Sequence, residues 1–306
     1  MKGCYGSMSV QATILRQGLS LVRNLIISSA DPVDLRDRLA KLESRIPALP
    51  SDIKCEQVAI EHIPGFWYIP PNAPTDKVIL YLHGGGYMFC SAGSTHRDLL
   101  ARLCRASHCR ILAIDYRLAP ENIFPAAVDD VVTAYQWLLK QFKAQNIAIG
   151  GDSAGGGLAF GSALKLRDDG IELPAALIGM SPWSDLAITG ESVLLNQTYD
   201  KILPADGLEE GADIYLGDAD PTHPYASPLY GDHTGLPPAM IQVGGDEVLL
   251  DDSRRLAYNM QKAGCHVILE EWPNMQHVWQ AFSPFLPEGR EAIARLGIFL
   301  RCHLKT

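Results

Sequence analysis

The stretch Gly150-Gly151-Asp152-Ser153-Ala154-Gly155-Gly156 decides the fold. It follows a short apolar run at 147–149 and precedes a helix-like segment at 154–169. Glycine two residues before and two residues after Ser153 lets the chain turn sharply without a collision between side chains. The stretch therefore predicts a strand, a tight turn and a helix, with Ser153 pushed out above the edge of a sheet.

Short apolar runs and helix-like segments alternate along much of the chain. Nearly unbroken apolar strands separated by helices are typical of a mostly parallel sheet that helices cover on both faces, which predicts the α/β class. We expect a hairpin that passes from 56–69 through Pro-Pro-Asn into 77–82. Further strands are predicted at 111–114, 147–149, 176–180, 240–243 and 267–269, and helices at 94–107, 125–143, 154–169, 251–264 and 288–303.

Two regions interrupt the alternation. Apolar residues recur every three or four positions through 10–27, which predicts a helix with one apolar face, and Asp31-Pro32 resembles the start of a second helix. Residues 186–220 are acidic and helix-prone, and insertions at the carboxyl edge of a sheet commonly cover a site. We expect residues 1–50 and 186–220 to form a small helical cap on an α/β domain made of 51–185 and 221–306.

Composition narrows the class of protein. A formal net charge of -9 over 306 residues, without a basic run, argues against a nucleic-acid partner. The seven cysteines are odd in number and contain no Cys-x-x-Cys pair, so neither a disulfide framework nor a zinc site is indicated. The apolar stretch at 19–30 is interrupted by Arg23 and Asn24, so we expect no signal peptide, no membrane span and a cytoplasmic location.

Ser153 is the first residue to which chemistry can be assigned. The pattern G-x-S-x-G between a strand and a helix is that of a nucleophile elbow, which exposes the serine hydroxyl. The N-terminus of the following helix points its amides at the same place, so the Ala154 N–H can bond a developing oxyanion. The alternative is a glycine-rich turn that only packs a helix.

A second glycine-rich stretch, His83-Gly84-Gly85-Gly86-Tyr87, follows the strand predicted at 77–82. In elbow-type hydrolases a loop of this type supplies oxyanion-hole amides, and Gly85 and Gly86 are the natural donors. A phosphate-binding loop is the competing idea, but neither GxxxxGK nor GxGxxG spacing is present. An ordinary tight loop is the structural alternative.

An acid and a histidine are expected to follow the serine in that order. Asp246 comes just after the strand at 240–243, and the adjacent Glu247 is its rival. His277 lies beyond the strand at 267–269, where this mechanism requires a base. We therefore predict Ser153 as nucleophile, His277 as general base and Asp246 as the acid that orients it.

The chain resembles the hormone-sensitive-lipase family of α/β-hydrolases, in its bacterial esterase branch. The resemblance covers most of the chain and implies an eight-stranded sheet with a helical cap, a triad of Ser153, Asp246 and His277, and an oxyanion hole of Gly85, Gly86 and Ala154. The family's frequent Asp-Pro-Leu is Asp246-Glu247-Val248 here, which leaves Glu247 as the alternative acid. Besides the two glycine-rich motifs, the resemblance rests on Tyr-Arg-Leu-Ala-Pro-Glu at 116–121, Ser-Pro-Trp at 181–183, Tyr-Ala-Ser-Pro-Leu at 225–229 and Gly-Asp-Glu-Val-Leu-Leu-Asp-Asp at 245–252.

These features predict a serine carboxylesterase that forms an acyl-enzyme and needs no metal or organic cofactor. Its expected substrate is a small ester with a short to medium acyl chain, as the resemblance implies, and Tyr87 and Trp183 are candidate pocket walls. A non-catalytic binding protein on the same fold and an amide or carbamate hydrolase are the alternatives. The resemblance also suggests a homodimer formed at the sheet edge near Val267 and 281–286.

Overall fold

The computed structural model describes residues 8–27, 31–42 and 49–306, and eight strands in this part of the chain form one sheet. Along the sheet their order is β1-β2-β4-β3-β5-β6-β7-β8. Neighbouring strands from β4 to β8 are parallel, and β2 adds antiparallel pairs with β1 and β4. The strands are β1 (Lys54–Ile60), β2 (Ile63–Ile69), β3 (Val78–Leu82), β4 (Arg110–Ile114), β5 (Ile147–Asp152), β6 (Ala176–Met180), β7 (Ala239–Gly244) and β8 (Val267–Trp272).

The helices of the described residues cover both faces of this sheet. Successive side chains of a strand point to opposite faces, so Leu80 of β3 joins one apolar core while Ile79 and Tyr81 join the other. Because both cores are closed by helices, β3, β5, β6 and β7 are buried along their whole length. The helices are α1 (Val10–Ile27), α2 (Pro32–Leu42), α3 (Arg97–Ser107), α4 (Ala126–Leu139), α5 (Ser153–Asp168), α6 (Ser192–Leu195), α7 (Ala205–Leu216), α8 (Leu250–Lys262) and α9 (Pro287–Leu304).

The α/β class and the eight-stranded sheet are confirmed, but the predicted hairpin is wrong in its pairing. The run 56–69 is itself a hairpin, because the chain reverses at Glu61, whose φ is 54°, and Ile60 pairs with Ile63. Strand β3 instead lies between β4 and β5 and is parallel to both. Its fully buried apolar sequence suits such a central position, whereas a strand paired only in a hairpin would have an exposed edge.

The segments expected to form a cap lie against the loops at the carboxyl edge of the sheet. Ala12 of α1 belongs to a small apolar cluster with Met275 and Trp279, and Leu208 and Tyr215 of α7 join the large core. Residues 1–7, 28–30 and 43–48 of the expected cap lie outside the described residues. Within the described ranges, every helix is too short or too polar to cross a membrane.

Candidate active site

The turn after β5 has the geometry of a nucleophile elbow. Ser153 has a left-handed φ of 52° and is the first residue of α5. A Cβ at Gly151 would lie 2.4 Å from the Leu82 carbonyl oxygen, and one at Gly155 would lie 2.1 Å from the same atom. No side chain fits at those distances, so the tight passage of β3 against the turn explains why glycine stands on both sides of Ser153.

The second glycine-rich loop lies directly beside Ser153. A Cβ added at Gly84 would be 3.1 Å from the Ser153 Cβ, and Gly85 and Gly86 take left-handed φ values of 113° and 59°. Among the described residues, no acceptor takes the Gly85 or Gly86 N–H, while the Gly85 carbonyl closes the loop by accepting the Met88 N–H at 2.9 Å. These amides and the first-turn amide of Ala154 are thus available to a ligand beside Ser153.

Asp152 joins the elbow to this loop. Its buried carboxylate accepts the Tyr81 hydroxyl at 2.7 Å and the Gly84 N–H at 3.2 Å, and it pairs with His96. Burial acts to raise the pKa of Asp152, but the charge and hydrogen bond of His96 lower it overall. Asp152 is therefore an anion that holds Gly84 against the turn. Asp152 was not among the predicted site residues, although its position at the end of a buried strand was a usable signal.

His277 is held by Glu247. The carboxylate oxygen Oε2 of Glu247 lies 2.8 Å from His277 Nδ1. Its other oxygen, Oε1, accepts the Ser181 hydroxyl at 2.7 Å and the Gly244 N–H at 2.5 Å. Ser181 in turn accepts the Val278 N–H at 3.1 Å, so the acid and the histidine loop share one buried network. Both Glu247 oxygens are occupied, which fixes the orientation of the imidazole.

The expectation that Asp246 contacts His277 is corrected by this arrangement. Beyond β7 the chain turns, and the side chains of the two consecutive acids point in different directions. Glu247 points inward, with none of its surface exposed, whereas Asp246 points outward and meets Arg16 of α1 at 3.0 Å and Gln276 at 3.1 Å. Glu247, left open in the sequence analysis, is the carboxylate in contact with His277.

The surroundings of His277 favour its charged form. Burial acts to lower the pKa of this imidazole, but the hydrogen bond and charge of Glu247, followed by the charges of Asp200 and Asp152, raise it above its ordinary value. An imidazole held in this way can take a proton and keep it while a neighbouring atom becomes negative.

Tyr87 and Trp183, the two candidate pocket walls, are almost wholly buried beside the elbow. Tyr87 stacks on Tyr215 of α7 with ring centres 3.7 Å apart, and the Trp183 backbone N–H donates to the Ser153 carbonyl at 2.9 Å.

Met88, which was not among the predicted site residues, lies between the glycine-rich loop and α7. Its Cε lies 3.4 Å from where a Cβ on Gly86 would be and 3.3 Å from the corresponding point at Gly211 of α7.

Comparison with known proteins assigns the chain to a family. The model of a family described as alpha/beta hydrolase fold matches residues 79–281. An acetyl-hydrolase of Streptomyces hygroscopicus is 44% identical over 87% of each chain. An esterase of Acinetobacter venetianus is 37% identical over 76% of this chain and 77% of its own. A crystal structure of an esterase from the bacterial hormone-sensitive lipase family superimposes with a TM-score of 0.91 at 44% identity, covering 98% of this chain and 100% of the other.

The match includes the elbow, the glycine-rich loop, Glu247 and His277 in one family model. These relatives cover between 76% and 98% of this chain and are named as esterases or as an acetyl-hydrolase. The chain therefore belongs to the α/β-hydrolase family, as a carboxylic ester hydrolase of its bacterial hormone-sensitive-lipase branch.

Proposed function

We propose that the chain is a serine esterase in which Ser153 attacks the ester carbonyl, His277 is the general base and Glu247 is the orienting acid. The observation that carries this proposal is the 2.8 Å contact between Glu247 Oε2 and His277 Nδ1. It leaves the other ring nitrogen, Nε2, for the nucleophile, as the mechanism requires. The strained backbone of Ser153 at the head of α5 supports its role as nucleophile.

The reaction follows from these positions. His277 Nε2 takes the Ser153 hydroxyl proton as Oγ attacks the ester carbonyl carbon, and the imidazolium is stabilised by Glu247. The N–H groups of Gly85, Gly86 and Ala154 bind the oxyanion. Collapse of this intermediate expels the alcohol, which receives the proton from His277 and leaves an acyl-Ser153 ester. Water activated by His277 then attacks the acyl carbon and releases the acid.

The substrate is proposed to be a small ester with a short to medium acyl chain. The end of Met88 lies between Gly86 of the oxyanion loop and Gly211 of α7, with Trp183 on the same side of Gly211. These side chains reduce the space next to the oxyanion donors, which disfavours a long acyl chain. Tyr87, stacked on Tyr215, supports this wall from behind.

The test is the hydrolysis of p-nitrophenyl acetate, butyrate, decanoate and palmitate by the native chain and three variants. Ser153→Ala and Glu247→Gln are expected to lower kcat by about 10³–10⁴-fold, and Asp246→Asn by less than about threefold. Activity that survives in Ser153→Ala would reject the nucleophile, and a reversed order of the two acid variants would reject Glu247. A rate that rises steadily up to palmitate would reject the short-chain proposal.

The same triad could cleave an amide or a carbamate, and a binding protein could use the same fold. A matched pair, p-nitrophenyl butyrate and butyric p-nitroanilide, separates the first alternative. Faster turnover of the anilide would make the chain an amidase. Absence of turnover on every ester, together with tight binding of them, would favour the binding protein.

A further inference from the structure

A short segment next to α6 is bonded to both loops of the candidate site. The Asn196 side-chain amide donates to the Glu247 carbonyl at 2.8 Å and to the Gly245 carbonyl at 3.3 Å. Gln276, the residue before His277, accepts the Lys201 N–H at 2.6 Å and donates to the Tyr199 carbonyl at 3.2 Å. Residues 196–203, which we call the bridging segment, thus connect the loop that carries Glu247 to the loop that carries His277.

Asp200 is the centre of the bridging segment. Its side chain has no exposed surface, and its Oδ1 accepts the N–H groups of Ile202 and Leu203, each at 2.9 Å. Its Oδ2 accepts the N–H of Val248, the residue after Glu247, at 3.0 Å. Three N–H donors on two oxygens fit an ionised carboxylate, because an ionised carboxylate is an acceptor only. A buried charge held by backbone donors fixes the turn that aims Glu247.

Asp200 also acts electrostatically on the imidazole. The carboxylates whose charges act on His277 are Glu247 after β7, then Asp200 in the bridging segment and Asp152 at the end of β5. Burial raises the pKa of Asp200, and the charge of His277 acts in the opposite direction. Burial and the charge of Asp200 raise the pKa of Asp246, while the charges of Arg16 and Lys201 act to lower it.

We propose that Asp200 is a positioning residue of the esterase: it fixes the Glu247 turn through Val248 and supplies a second buried negative charge that stabilises the His277 imidazolium. The inference rests on the proposed function, since it concerns how the same base is held and charged. It distinguishes three roles for three nearby carboxylates. Glu247 contacts the imidazole, Asp200 acts on it through the backbone and through space, and Asp246 anchors α1.

The experiment compares the pH dependence of kcat and KM for the native chain, Asp200→Asn and Asp246→Asn on p-nitrophenyl butyrate. Removing the Asp200 charge should lower the pKa of His277, because the imidazolium loses a favourable interaction. The acidic limb of kcat/KM should then move to lower pH by about 0.5–1 unit, and the plateau kcat should fall about tenfold or more at nearly constant KM. Asp246→Asn removes a charge from the same neighbourhood and should leave the limb in place.

Thermal unfolding and stoichiometric labelling of Ser153 by a fluorophosphonate show whether each variant is folded and has an intact site. If Asp200→Asn does not fold, Asp200→Ser takes its place, since a serine hydroxyl can still accept the Ile202 and Leu203 amides but carries no charge. An unshifted limb with native kcat in the folded variant would overturn the role of Asp200. An inactive native chain, or activity in Ser153→Ala, would overturn the proposed function instead.

Discussion

His277 shows how a single side chain is tuned by competing effects. Its burial disfavours the imidazolium, and an isolated buried histidine would remain neutral to low pH. Three carboxylates on three different elements outweigh that burial, and the pKa of His277 is raised. The site thus favours the imidazolium, which suits the proposed reaction at the step where Ser153 loses its proton.

The raised pKa of His277 predicts the direction in which kcat/KM changes with pH. A general base must be neutral, so kcat/KM should fall as pH decreases through the pKa of His277, with a midpoint above the ordinary value of 6.5. The check is kcat/KM on p-nitrophenyl butyrate between about pH 5 and 9 in buffers of constant ionic strength. A midpoint at or below the ordinary value would contradict the dominance of the three carboxylates.

Ser181 offers a second test of a single residue, because its hydroxyl connects Glu247 to the loop that carries His277. Its hydroxyl donates to Glu247 Oε1 and accepts the Val278 N–H, so Ser181→Ala removes two bonds that hold the acid and the histidine loop. We expect kcat to fall about tenfold or more, since each lost buried bond costs about 1–3 kcal/mol. Ser162→Ala is the matched control. The Ser162 hydroxyl is as buried as that of Ser181 but has no hydrogen-bond partner among the described residues. The kcat of Ser162→Ala should therefore stay within about twofold of the native value. Equal loss in both would indicate a general packing effect.

The choice between Asp246 and Glu247 could not be made from the sequence, and the reason is physical. Both follow the same strand, and only the backbone of the turn after Gly244 decides which of two consecutive side chains points inward. The turn depends on distant partners, namely Arg16, Asp200 and Ser181, whose approach no local pattern reveals. The predictions for Ser153 and His277, by contrast, rest on the order of elements along the chain, which the structure reproduces.

At the scale of elements, the end of β3 lies directly against the turn that joins β5 to α5. The Leu82 carbonyl at the end of β3 lies so close to Gly151 and Gly155 that neither position has room for a side chain. This close approach positions the glycine-rich loop that follows β3, residues 83–87, beside Ser153, which follows β5. The local glycine pattern was sufficient to predict the turn, because part of the constraint is local: a Cβ at Gly151 would also lie 2.4 Å from the Gly155 carbonyl oxygen. The approach of the distant Leu82 carbonyl could not be seen in that pattern.

Gly155→Ala should therefore destabilise the fold as well as the site. Its Cβ would lie 2.1 Å from the Leu82 carbonyl oxygen, and relief of that clash requires a backbone shift that costs on the order of 3 kcal/mol. Urea unfolding should show the loss, together with reduced activity. Gly18→Ala is the control, because nothing lies within 4 Å of its Cβ position in α1 and alanine favours a helix by about 1 kcal/mol. An unfolding free energy that Gly155→Ala leaves unchanged would show that the contact relaxes at little cost.

At the scale of the whole molecule, the described sheet has two edge strands. Within it, β1 pairs only with β2 and β8 pairs only with β7. The run 56–69 was wrongly predicted to pair with 77–82, because the order of strands in a sheet depends on contacts between distant segments. The family resemblance, in contrast, suggested an association surface at the edge strand β8 and the stretch 281–286. An edge strand with exposed apolar residues beside it is a template for a second chain.

We expect the chain to form a homodimer through this edge. Ile268 of β8 is 38% exposed and Phe285, in the neighbouring 281–286 stretch, is 48% exposed, so pairing of two copies would remove apolar surface from water. Sedimentation velocity should show a dimer of the native chain, and Ile268→Lys should dissociate it because a buried, unpaired charge is costly at an interface. Ile123→Lys, at a similarly exposed position of 44% away from β8, should leave the dimer intact. A native chain that sediments as a monomer at all concentrations would remove this surface from consideration. Dissociation by Ile123→Lys would place the contact elsewhere on the molecule.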